Sequence, residues 1–251
     1  MKKILFFALV TLICSSSSCK SDPTPIATDN GILSLTFKPT YDSKPLIINK
    51  IYDYNGKKVR FTKWQFLVTS PLACSVGQAC PTTDEAILVD LTTLDDSLKS
   101  IAGFKTSFNN LSLGNFTTLS MGLGVSKELN AKKPNNFPRA SPLSDAGNFW
   151  DGWQSYIFSK LEGLMDKDGD GKFETGFTLH TGGDASFRNI TFTSEKFQVT
   201  SQANAAKTFE VNLNTLLRGI DLTAVNSTHQ TGDEPTMLKM MDNLSSAFSV
   251  K

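Results

Sequence analysis

Apolar and polar residues alternate along six stretches of the chain: ILSLTFK (residues 32–38), parts of VRFTKWQFLVTS (59–70), AILVDL (86–91), FTTLSMGLG (116–124), ASFRNITFTSEKFQVTS (185–201) and KTFEVNLN (207–214). Successive side chains of a strand point to opposite faces, so each stretch reads as a strand with one buried face. Clusters of Gly, Asn, Pro and Ser bound them, which favours hairpins over βα units. The expected fold is all-β, an antiparallel sandwich-like single domain over residues 31–251. Near the C terminus the period changes. Met237, Met241, Leu244 and Phe248 recur at spacings of four, three and four, and Pro235 suits a first turn, so a helix is predicted there. At that spacing the methionines form a core stripe rather than a soft-metal site.

The first eighteen residues have a different character. Lys2 and Lys3 precede a short apolar run, then Ser15 to Ser18 and Cys19, as in a lipoprotein export signal. The run is too short to span a bilayer, which needs roughly 20 apolar residues. Cys19 is the expected lipidation site, and residues 19–30, with Pro23 and Pro25, read as a polar tether. The protein is therefore expected in the cell envelope, as an outer-membrane lipoprotein facing the periplasm or the cell surface. Losing Lys2 and Lys3 takes the formal charge from +1 to −1. Neither value provides the basic stripe that a nucleic-acid partner requires.

Outside the cytosol, Cys74 and Cys80 are most simply a disulfide closing a small loop. A thiolate metal site is the alternative, but C-x5-C is not a zinc spacing and no histidine lies nearby in sequence.

DKDGDGKFE (166–174) carries a sharper signal. Asp166, Asp168, Asp170 and Glu174 stand at positions 1, 3, 5 and 9 of a calcium-loop pattern, with Gly171 at position 6 and the Lys172 carbonyl at position 7. Three carboxylates in five residues repel one another unless a hard cation lies between them. Phe177 replaces the bidentate glutamate of position 12, so the expectation is a weak Ca²⁺ turn between two strands, against a solvated acidic turn without an ion.

MGLGVSKELN (121–130), SPLSDAGNFWDGWQSYIFSKLEG (141–163), FTLHTGG (177–183) and MLKMMDNLSSAFSV (237–250), in that order, resemble the MbnP-like family of exported proteins from copper-related operons, which has a lipoprotein branch in Bacteroidetes-type bacteria. The resemblance implies a sandwich-like fold. For methanobactin-operon members it also implies copper binding and a tryptophan oxidised to kynurenine by a di-haem partner enzyme of the MbnH type. Trp150 and Tyr156 match a W-x-W-x-x-G-Y motif, with Trp153 displaced by one position and Ser155 in place of the glycine. Trp150 and Trp153 are thus the candidates for oxidation, against a packing role in the core. His180 matches the family histidine that follows the LEG segment.

The departures bear on copper. Ala131 stands where copper-type members read a histidine, Asn148 and Phe149 replace an expected methionine, and the family's later cysteine pair is missing. His180 and His229 are the chain's two histidines, and a methionine or an oxidised tryptophan would have to complete a Cu site with them. Glu162 and Asp151 are possible acids without a nucleophile or second carboxylate assigned beside them, so the chain is expected to bind rather than catalyse. The expected function is a lipid-anchored calcium-binding and copper-binding protein with a di-haem partner; the alternative is a calcium-stabilised interaction module that has lost copper.

Overall fold

In the computed structural model, which describes residues 31–74, 85–111, 113–193, 196–200, 205–230 and 232–251, the alternating stretches become strands. The first seven are β1 (Gly31–Tyr41), β2 (Lys44–Pro45), β3 (Ile51–Tyr54), β4 (Lys57–Cys74), β5 (Ala86–Asp90), β6 (Phe104–Leu111) and β7 (Gly114–Phe116). The remainder are β8 (Thr118–Leu123), β9 (Phe149–Trp150), β10 (Ser155–Asp166), β11 (Thr175–Gly182), β12 (Arg188–Phe192), β13 (Phe197–Val199), β14 (Ala205–Asn212) and β15 (Phe248–Val250). Helices are short: α1 (Ser97–Ala102), α2 (Lys127–Asn130), α3 (Leu213–Leu216) and α4 (Glu234–Ser245). No helix among the described residues is long and apolar enough to cross a membrane.

Two sheets face each other, as the all-β reading expects. In one, β1 pairs parallel with β14 on one edge and antiparallel with β6 and β2 on the other, and β15 extends β14. In the other, the order β11-β10-β4-β8-β12 is joined by β3 and β5, which pair with β4. Leu33, Leu35 and Phe37 turn inward from β1 and meet the inward face of β4, where Trp64 and Phe66 are fully buried. Phe37, Phe66, Phe209 and Phe248 join the two sheets through edge-on and stacked ring contacts. Such aromatic pairs add about 0.5–1.5 kcal/mol each beyond the area they bury.

A bulge sets the phase of β4. Val59 and Phe61 point inward, but so do Trp64 and Phe66, because Thr62 is an extra residue between the pairs Phe61↔Gly163 and Lys63↔Glu162. One inserted residue moves all that follows to the opposite face. Lys63 and Gln65 are thereby turned away from the core.

Several expected boundaries shift. The 185–201 stretch is a 3-10 turn (Asp184–Ser186) followed by β12 and β13, which pair with different strands. Strand β14 ends at Asn212, whose side chain accepts from Thr215 N and caps α3, so residues 213 and 214 are helical. The C-terminal helix is present, with Met240, Met241 and Leu244 buried, but it ends at Ser245, and Phe248 belongs to β15. The export segment, Cys19, the tether, Cys80 and the Cys74 side chain lie outside the described residues, and with them the expected lipidation and disulfide.

Gly124, just after β8, has φ +88°, and a Cβ there would come within 2.3 Å of the Phe158 ring. Gly124→Ala is expected to combine a left-handed backbone with overpacking, at roughly 2–4 kcal/mol. For a domain of this size that is a thermal midpoint lower by on the order of 10 °C. A midpoint within 2 °C of the parent would show that the Phe158 contact is not constraining.

Candidate metal centre on the outer face of the hairpin

The phase set by Thr62 lines polar residues along the outer face of β4, β10 and β11. Glu162 lies opposite Lys63 on one side and Thr178 on the other, and Lys160 lies opposite His180. Glu162 Oε1 accepts from Lys63 Nζ at 3.0 Å and pairs with His180 Nε2 at 3.0 Å. Burial works to raise the Glu162 carboxyl, but the bonds from Lys63 and His180 outweigh it and hold it below the usual carboxylate range. His180 is buried, and desolvation pushes its imidazole down to about 4 against the pull of Glu162. At neutral pH the carboxylate is ionised and the ring is neutral.

His229 reaches the same place from a loop. Thr178 N donates to Asn226 O at 2.7 Å and Thr228 N to Thr178 O, so residues 226–228 run as a short parallel strip beside β11. The Thr228 hydroxyl donates to His180 O at 2.5 Å and accepts from His180 N at 2.7 Å. This strip presents His229 with its Nε2 2.9 Å from His180 Nδ1 and its Nδ1 3.2 Å from Ser227 Oγ.

The proton positions follow from the partners. An ionised Glu162 only accepts, so His180 Nε2 carries the hydrogen and His180 Nδ1 presents a lone pair to His229. In one tautomer His229 Nε2–H donates to that lone pair, and the Ser227 hydroxyl donates to His229 Nδ1. The other tautomer of His229 donates from Nδ1 to Ser227 instead. Two imidazole lone pairs, His180 Nδ1 and His229 Nε2, then face one another, each ring held by a bond at its far nitrogen. Histidines that bind metals are oriented in this way.

Both candidate tryptophans are here. His229 packs on Trp150 and Trp153, and the three ring centroids lie 4.9, 5.8 and 6.1 Å apart. Trp150 is 39% exposed, unusual for so large an apolar side chain. Trp153 lies against the backbone of β11 at Gly182, where a Cβ would come within 2.9 Å of the indole. Asn130 braces this end of β10. Its Oδ1 accepts from Ser155 Oγ and Tyr156 N, and its Nδ2 donates to Asp184 Oδ1 at 2.8 Å. Tyr156 is buried, its hydroxyl donating to Leu143 O. Met237 lines the cleft beside His229, while Met241 Sδ accepts from the Thr181 hydroxyl inside the core.

The aspartate ladder forms the turn of the same hairpin. Ligand oxygens of Asp166, Asp168 and Asp170 lie within 4.8 Å of one another, and Asp166 accepts from Gly169 N and Gly171 N. Lys172 Nζ pairs with Asp170 Oδ2 at 2.6 Å, and Glu174 is exposed and outside that group. Asp151 is exposed in the turn after β9. His229 was the less legible of the two histidines, since only the parallel strip at residues 226–228 brings it to His180. A period-two pattern of three residues is too short to be a signal.

The MbnP family model matches residues 30–232. The chain belongs to the MbnP family. The solved structure of MbnP from Methylosinus trichosporium is similar in fold, with a TM-score of 0.56 over 88% of this chain and 98% of that one, at 12% sequence identity. A comparison with curated proteins gives no match. In this MbnP-family chain His180, bonded to Glu162, joins two of the segments that carry the resemblance, 141–163 and 177–183.

A depressed His180 makes a pH prediction. The unfolded ring titrates near 6.5 and the folded one near about 4. Above 6.5 both are neutral; as pH falls from 6.5 towards 4 the unfolded state takes up a proton that the folded state refuses, and stability drops by up to roughly 3 kcal/mol. Proton NMR titration is expected to leave the His180 ring unshifted between pH 7 and 5. A midpoint near 6.5 would contradict the buried, neutral assignment.

Proposed function

We propose that this MbnP-family protein is an exported, lipid-anchored metal-binding protein, non-enzymatic, that holds copper at His180 and His229 and calcium at the 166–174 turn. The observation that carries the copper reading is the approach of His180 Nδ1 to His229 Nε2 at 2.9 Å, with Glu162 and Ser227 on the far nitrogens. Imidazole suits Cu(I), and Met237 in the same cleft supplies a soft donor nearby. Bound copper would supply redox chemistry beside Trp150 and Trp153. Trp150, being the exposed indole, is the one within reach of an oxidising di-haem partner, and kynurenine mass on the peptide spanning Trp150 and Trp153 from native-host protein is the corresponding readout.

Competition with a chromophoric Cu(I) chelator is expected to show one ion per chain. His180→Ala or His229→Ala should abolish it, and Glu162→Gln should weaken it about 10–100-fold through the tautomer it fixes. If the wild-type chain fails to compete, or the double histidine variant competes equally well, copper is removed.

The alternative, an interaction module stiffened by calcium without copper, is favoured by one observation. Ala131, at the position of the missing imidazole, is exposed at the end of α2, while Asn130 serves the framework. The calcium part is common to both readings. With a dissociation constant in the weak range of about 10⁻⁴–10⁻³ M, Ca²⁺ at ten times that value should add about 1.4 kcal/mol, or about 3–5 °C in thermal midpoint. Asp168→Ala should remove the increment. An equal midpoint with and without chelator in the parent would remove calcium from both.

A further inference from the structure

A cleft of about 380 Å³ opens on the outer side of the histidine pair, between the β9–β10 turn, the end of β11 and the start of α4. Its walls include Trp150, Trp153, His229, Asp184, Glu234 and Met237. We propose that this cleft binds a small organic cation with an alkylated ammonium head.

The argument rests on the chemistry of the lining. Two indoles and an imidazole make one aromatic wall, their centroids at the corners of a triangle of 4.9, 5.8 and 6.1 Å. Indole is the best side chain for attracting a cation to a ring, and such walls suit alkylated ammonium, which is weakly hydrated and has few or no N–H groups to satisfy. The lining also includes the acidic residues Asp184 and Glu234, and among the described residues no Lys or Arg lines the cleft. Asp184 is held in place by Asn130 Nδ2 at 2.8 Å. A neutral apolar solute would gain the wall but not the charge, and an anion would be repelled. The volume lies at the low end for small-molecule sites, which favours a free solute over a peptide segment. His229 serves as a wall here rather than as a ligand, so the site does not depend on copper.

The test is a tryptophan fluorescence titration of the metal-free chain, its indoles verified intact by mass, with choline and with its neutral isostere 3,3-dimethylbutan-1-ol at matched ionic strength. Choline is expected to saturate in the millimolar range and the alcohol to bind at least tenfold more weakly. Trp150→Ala should abolish the response, and Glu234→Gln, at an exposed position that leaves the fold alone, should weaken it several-fold. His180→Ala is expected to lose copper while keeping choline, which separates the failure of this inference from failure of the copper reading. No saturable response to choline, equal binding of the two probes, or an unchanged affinity in Glu234→Gln overturns the proposal.

Discussion

Everything on the outer face depends on the single extra residue at Thr62. Before it, β4 buries Val59 and Phe61; after it, Trp64 and Phe66. Without the bulge an uninterrupted alternation would send Lys63 and Gln65 into the layer that holds Phe37 and Phe209, and would push Trp64 and Phe66 into water. Burying an unpaired ammonium is far too costly for that register to compete. With the bulge, Lys63 meets Glu162 across the ladder, and Glu162 in turn fixes the tautomer of His180. Core packing and the Lys63–Glu162–His180 network therefore select the same register, one from each face of the sheet.

The chain Ser227–His229–His180–Glu162 is satisfied without an ion, which explains how two imidazoles tolerate close approach in a largely buried place. Each ring is a donor at one nitrogen and an acceptor at the other. A cation would enter by exchanging the His229 tautomer, with Ser227 turning from donor to acceptor. The bond between the two rings would be exchanged for the ion, while Glu162 and Ser227 keep their contacts to the far nitrogens. The hydrogen bonds at the far nitrogens hold both rings in place in either tautomer of His229.

How much of this was legible in the sequence follows from the range of each interaction. The inward residues Leu33, Leu35 and Phe37 sit on an unbroken period of two and were readable, as was the β5 stretch. Phe248 was misplaced because a spacing of four from Leu244 continues the helical stripe by coincidence; its ring is drawn instead to Phe37, Phe66 and Phe209 in the aromatic core. Leu213 and Asn214 were read as strand because the cap that ends β14 depends on a side-chain bond, Asn212 Oδ1 accepting from Thr215 N. Trp150, Trp153 and His180 were readable from the family resemblance alone. His229 was paired with His180 only as the chain's other histidine; its packing on Trp150 and Trp153 was not readable, since it depends on a three-residue strip paired to β11 across about fifty residues of chain.

The aspartate turn and His180 occupy one hairpin, and the distance between them decides how they can influence each other. Asp166 stands four positions beyond Glu162 on β10, about 13 Å at the rise of a strand. That exceeds the screening length of roughly 8–10 Å at physiological salt, so a charge at the turn acts only weakly on the imidazoles. Register is the stronger link. The turn closes β10 on β11, and the pairs Glu162↔Thr178 and Lys160↔His180 stand in the ladder that it closes. A cation that stiffens Asp166, Asp168 and Asp170 would resist the slip that carries His180 away from Glu162, coupling the two ends through the backbone rather than through the field.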